Sequence, residues 1–240
     1  MTTCQETLTI AGISANVIRR KVKHARISVT APNGELNLIV PHAMSETTIH
    51  EAMTKTMRWI KKAQKKMREC QREPEKHFVT GELHYFFGEA YPLTVSESNG
   101  KAHVEFDAKT GIQLFVKPNS SREERLNALN AWYRNALTQQ LKTLISEWEK
   151  RLSVNVATVC IRRMKSRWGS CMASKRKLTF NLELAKKPLD CVEYVVVHEL
   201  THFFADDHGQ YFQRRMFDAL PNWKELREKL NKLPSSHELF

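Results

Sequence analysis

Residues 195–212 read VVVHELTHFFADDHGQYF, and the spacing of three histidines within them decides the fold of everything around them. His198 and His202 stand four residues apart with Glu199 beside the first. On a helix such a pair lies one above the other, about 6 Å apart, close enough for two imidazoles to meet one ion. On a strand they would be separated by about 13 Å, too far for bonds of about 2 Å to a shared zinc. The chemistry therefore requires a helix, although VVV by itself would suit a buried strand. Pro188 followed by Asp190 and Glu193 reads as the helix start, with D-x-x-E as a capping signal.

Glu199 then projects about 100° around the axis from His198, where it can deprotonate a zinc-bound water. A third protein ligand is needed to leave one position open. His208 is the first choice, with Asp206, Asp207 and Glu225 as rivals. Ten residues of continuous helix would carry His208 about 15 Å beyond His198, so the chain must bend, and Ala205–Gly209 is the predicted place. The expected cofactor is Zn2+, held by His198, His202 and His208, with Glu199 as the catalytic base.

Working outward, the strands VNVATVCIRR and KLTFNLEL flank MKSRWGSCMASKR. Alternation in KLTFNLEL puts Leu178, Phe180, Leu182 and Leu184 on one face and Thr179, Asn181 and Glu183 on the other. Gly169 and Ser170 read as a turn or bulge beside Trp168. Upstream, Ser121 and Glu124 form a capping box that opens about thirty residues without Pro or Gly. Its stripe, including Leu129, Leu137, Leu141, Leu144 and Trp148, is expected to pack on the catalytic half.

Pro118 to Ser121 is the clearest break. It divides the chain into a β-rich region, 1–118, and a catalytic domain, 119–240. In the first, ARISVTA and ELNLIVP flank a turn at Pro32-Asn33-Gly34, and a helix runs from Ser45 to about Cys70. FVTGELHYFFGEAYPLTVSES and AHVEFDAKTGIQLFV read as further strands of the same sheet. No internal repeat stands out. The fold class is α+β, a β-rich N-terminal part before a compact zincin-like helix and sheet core.

The net charge of +12 draws anions, so nucleic acid is a possible partner through the basic surface. The cations of the first helix, Lys55, Arg58, Lys61, Lys62, Lys65, Lys66 and Arg68, have a solvated face as their first reading and an anion-binding face as their second. The same holds for Arg19, Arg20, Lys21, Lys23 and Arg26. Five cysteines without a CxxC pair, and no signal peptide, point to reduced thiols and a cytoplasmic location. No window is apolar enough for a spanning helix, so no membrane partner is expected.

RWGSC at 167–171, LTFNLELAKKP, VVVHELTH and HGQYF together resemble the YgjP-like metallopeptidase family, as does the WIKK helix around Trp59. The resemblance implies a zincin core similar to the SprT and WLM groups, zinc on the three histidines and Glu199 as general base. The metzincin spacing also fits, but Ala205 stands where that group has its glycine, and no Met-turn is present.

A peptide or protein substrate is the leading expectation, with Arg167, Trp168 and Asn181 as substrate-binding candidates and KLTFNLEL as an edge strand for an extended peptide. Seven cations, Arg162, Arg163, Lys165, Arg167, Lys175, Arg176 and Lys177, keep a phosphate-bearing substrate, and hence nucleotide or phosphoanhydride hydrolysis, as the alternative. A third expectation is a protease recruited to nucleic acid, or a zinc-containing binding module.

Overall fold

The computed structural model describes residues 4–10, 12–30, 34–69, 75–164 and 167–234. The chain divides into two compact units, Met1–Gln71 and Arg72–Leu239. In the first, β1 (Cys4–Ile10), β2 (Ile13–Arg20), β3 (Arg26–Thr30) and β4 (Glu35–Pro41) form a sheet in the order β1-β2-β4-β3. Its central pair is parallel and both outer pairs are antiparallel. Pro32 and Asn33 of the predicted turn lie outside the described residues. Gly34 has φ 76°, the left-handed backbone that favours glycine.

The helix α1 (Glu46–Glu69) starts where Ser45 Oγ accepts from the Thr48 N–H at 3.3 Å. Alternation along the strands turns Ala15, Val17, Leu36, Leu38 and Val40 to one face, where they join Ile49, Met53 and Ile60 of α1 in a core of their own.

The second unit opens with β5 (Leu83–Phe86), β6 (Glu89–Glu97), β7 (His103–Asp107) and β8 (Gly111–Val116), in the order β5-β6-β8-β7, followed by α2 (Arg122–Leu152). These strands are a separate sheet, not a continuation of the first. They do not belong with residues 1–71 because their inward side chains share one core with the segments that follow. Leu93, Ile112 and Leu114 are continuous with Leu137 of α2 and with Leu178, Val196 and Leu200 beyond it. A boundary at 118 would cut through that core, which is why the break falls near 71 instead.

The two sheets have the same winding: an antiparallel hairpin, a parallel central pair and an antiparallel outer pair, followed by a long helix. A shift of 76 residues superposes Gly12 on Gly88, Val17 on Leu93, Leu36 on Ile112, Leu38 on Leu114, Val40 on Val116, Ser45 on Ser121 and Met53 on Leu129. The chain is thus built on a tandem ββββα repeat. It escapes a reading of residue identities because the correspondence lies mostly in buried, turn and cap positions, while most exposed ones differ.

The Ser121 and Glu124 capping box forms as expected, with the Glu124 N–H donating to Ser121 Oγ and Glu124 Oε2 accepting from the Ser121 N–H. Beyond α2 come β9 (Thr158–Arg162), β10 (Gly169–Met172) and β11 (Lys177–Asn181), then α3 (Leu189–Thr201), α4 (Gln210–Ala219) and α5 (Trp223–Lys232). Their sheet runs β10-β11-β9. KLTFNLEL is therefore central rather than an edge, and β10 is an edge. The strand also stops at Asn181, whose Oδ1 accepts from the Glu183 N–H and opens a 3-10 turn over Leu182–Lys186. In that turn Leu182, Glu183, Leu184 and Ala185 are all buried, so the two-faced alternation predicted to Leu184 fails.

Two contacts hold the β5–β6 turn against the entry to α3. The Phe87 N–H donates to the Ala185 carbonyl at 2.9 Å. Gly88, at φ 98°, leaves space that any Cβ would take, 2.8 Å from Pro188 Cγ. Beside this turn His84 is 4% exposed. Burial, helped by Lys76, pushes its imidazole down to about 4. Below pH 6.5 the unfolded chain takes up a proton that folded His84 refuses, so stability falls as pH drops from 6.5 to about 4 and then levels. The expected loss is on the order of 3 kcal/mol. Urea melts across this range should show a shallower pH slope for His84→Gln than for the parent, and equal slopes would refute the assignment.

Candidate metal centre

α3 begins at Leu189 with Pro188 as its N-cap, and no side chain caps it. Asp190 falls inside the first turn rather than at the cap, so the predicted box with Glu193 does not form. Its Oδ1 accepts from the Cys191 N–H at 2.7 Å and its Oδ2 from Lys229 Nζ of α5 at 2.6 Å. Glu193 instead accepts from Trp148 Nε1 at 3.0 Å, tying α3 to α2. Val195, Val196 and Val197 are buried because α3 is covered nearly all round, and burial overrides their β preference.

The helix ends at Thr201 with His202 as its C-cap, and the chain bends before α4 begins at Gln210. In the bend Asp207 Oδ1 accepts from the Gly209 N–H at 2.9 Å, and the His208 carbonyl accepts from Gln213 Nε2. This returns His208 to the helix: its Nε2 lies 3.1 Å from His198 Nε2. Among the described residues, His198, His202 and His208 are the group whose ligand atoms all lie within 4.8 Å of one another. Asp206, Asp207 and Glu225 do not join it. The floor beneath the three rings is Phe212, 1% exposed, whose centroid is 4.7 to 5.0 Å from each of theirs.

Two nitrogens bound tetrahedrally at about 2 Å to one ion stand about 3.3 Å apart, so the 3.1 Å approach fits a small divalent cation. For two of the donors the surroundings favour the neutral ring that a metal needs. Burial, then His202, His208 and Arg227, push His198 down to about 3, and burial with His202 and Arg227 lowers His208. His202 Nδ1 donates a hydrogen bond to the Ala205 carbonyl at 2.9 Å, which makes Nε2 the nitrogen available to an ion. His198 Nδ1 is buried without a hydrogen-bond partner among the described residues.

Glu199 is 5% exposed and packs under the edge strand. Burial pushes its carboxyl up to about 8, with Arg167 pulling the other way. Gly169, read as a turn, is the first residue of β10, and its role is space. A Cβ there would stand 2.5 Å from Glu199 Oε1 and 2.8 Å from its Cγ. Gly169→Ala is expected to displace the carboxylate, cutting turnover by about a hundredfold while metal content is unchanged. Paired metal analysis and rate measurement check this.

A cavity of about 600 Å³ contains the three histidines and Glu199, walled by Arg167, Trp168 and β10. Asn181 does not line it. Its Nδ2 donates to the Met164 and Arg167 carbonyls at 2.8 and 2.9 Å, and its Oδ1 accepts from the Met164 N–H. It is a buried clamp on the loop before Trp168, not a substrate contact. Of the seven cations near RWGSC, Lys165 lies outside the described residues, and of the others only Arg167 reaches the cavity. The residues missed in the sequence are Gly169, Phe212 and Tyr194. Tyr194 stands four residues before His198 on α3, so helical spacing is its signal, and the two ring centroids are 5.9 Å apart. No spacing rule links Gly169 or Phe212 to the histidines, because the neighbouring strand and the bend bring them in.

Three converging imidazoles and a buried carboxyl facing one cavity suit a metallohydrolase. Over residues 23–233 the chain matches the YgjP-like metallopeptidase domain family, and it belongs to that family. No curated protein matches it. Among the solved structures that resemble part of it are two zymogens. The metallopeptidase zymogen of Pyrococcus abyssi abylysin is 20% identical over 38% of this chain and 90% of its own, with a TM-score of 0.35. That of Methanocaldococcus jannaschii jannalysin is 22% identical over 38% and 92%, with a TM-score of 0.34. No helix among the described residues is long and apolar enough to cross a membrane.

Proposed function

We propose that this chain is a zinc-dependent peptidase in which His198, His202 and His208 hold the ion and Glu199 moves the proton. The convergence of the three imidazoles beside a buried carboxyl carries the reading. Bound zinc supplies Lewis acidity, acidifying water and polarising a carbonyl. Glu199 takes a proton from the attacking water as the new C–O bond forms. It holds that proton in a pocket where burial favours the carboxyl form, then delivers it to the amine nitrogen as the C–N bond breaks. The outer edge of β10 runs along the cavity and suits an extended peptide backbone, the role that the sequence assigns to KLTFNLEL.

Arg167 is the observation that keeps an anionic group on the substrate in view, whether carboxylate or phosphate. Zinc-loaded protein should cleave an unfolded polypeptide and leave nucleoside triphosphates intact, with Glu199→Gln as blank. Release of phosphate from the nucleotides alone would replace the peptidase reading with the phosphoanhydride one. The free thiols Cys160, Cys171 and Cys191 are consistent with a cytoplasmic setting.

A further inference from the structure

α1 and α2 hold the same place in the two repeats, but their outward faces differ. At the positions 76 residues before the buried Leu137 and Leu141 stand Lys61 and Lys65, both exposed. The first repeat keeps the apolar contacts to its own sheet through Ile49, Met53 and Ile60, each fully buried, and turns cations outward. There Lys55, Arg58, Trp59 and Lys62 follow one another at i, i+3, i+4 and i+7, which places them on one stripe of the helix. All four are exposed, Trp59 by 51%.

Lys55, Arg58, Lys61 and Lys62 make no ion pair with any described residue. Residues 1–71 carry 12 Lys and Arg against five Asp and Glu, so this short unit holds +7 of the net +12. Crowded cations repel one another, and a polyanion relieves that repulsion by releasing its own counterions. A membrane surface fits poorly. It needs an apolar helix face, and that of α1 is already buried on the sheet, leaving a single large aromatic among the cations. A single aromatic between cations matches a polymer that alternates flat bases with phosphates. An exposed indole needs an unstacked base, which a duplex does not offer.

We propose that α1 is a binding surface for single-stranded nucleic acid, with Trp59 stacking on a base and Lys55, Arg58 and Lys62 meeting the flanking phosphates. Binding of this kind is independent of the metal centre, so its failure and that of the peptidase reading are separable. The test is fluorescence anisotropy of a labelled oligothymidylate with the full chain over a salt series. The expected slope of log K on log salt is about −2, from three cations at about −0.7 each. Trp59→Leu should weaken binding about tenfold and leave the slope unchanged. Lys55→Gln with Lys62→Gln should flatten the slope to about −0.7. These positions are exposed and outside the core, and thermal melts matching the parent are the check that the variants fold. Unchanged affinity in Trp59→Leu, a duplex of equal length bound as tightly, or displacement of the oligonucleotide by phosphatidylserine vesicles would each overturn the proposal.

Discussion

Glu199→Gln is expected to keep its metal and lose at least about a thousandfold in turnover. The amide has nearly the shape of the carboxylate, so it fits the space that Gly169 leaves under β10. The three imidazoles are untouched, and the His202 Nδ1 contact to the Ala205 carbonyl stays in place. What disappears is the group that can take a proton from water and return it to the leaving nitrogen. Metal content by elemental analysis, set beside turnover of an unfolded polypeptide, separates the two functions. Activity within tenfold of the parent would remove Glu199 from the mechanism.

His202→Ala is expected to weaken zinc binding on the order of a thousandfold, about 4 kcal/mol. His202 closes α3, so its loss leaves two donors, one of them on the bend after the helix. It also removes a ring that packs on Phe212. Parent protein should melt at a higher temperature with zinc than with chelator, because the ion binds the folded state alone. The variant should show no such difference. A variant that retains tight stoichiometric zinc would exclude His202 from the ligand set, and the same measurement on His208→Ala tests the third donor.

The helical spacing of His198 and His202, the need for a bend before His208 and the capping box at Ser121 were all legible in the sequence. Each is a local constraint, set by residues within a dozen positions of one another. The predicted cap at Asp190 and Glu193 failed because the helix starts from Pro188, two positions earlier, freeing both carboxylates for partners on α5 and α2. KLTFNLEL failed as an edge strand for a different reason: alternation says which side chains share a face, but not how many neighbours a strand has. Asn181 illustrates the cost, since a polar residue on a strand reads equally well as a substrate contact or a buried clamp.

By itself, then, the sequence determined a helix carrying two histidines and a glutamate, and a chain reversal able to return a third histidine. Tertiary structure alone decided that Gly169 is an absence that admits Glu199, that Phe212 supports the three rings, and that the first 71 residues repeat the winding of the next unit. The physical reason is range. Helix spacing and caps act along a few turns of chain. A missing Cβ, a shared core and a sheet order exist only once segments far apart in the chain have met.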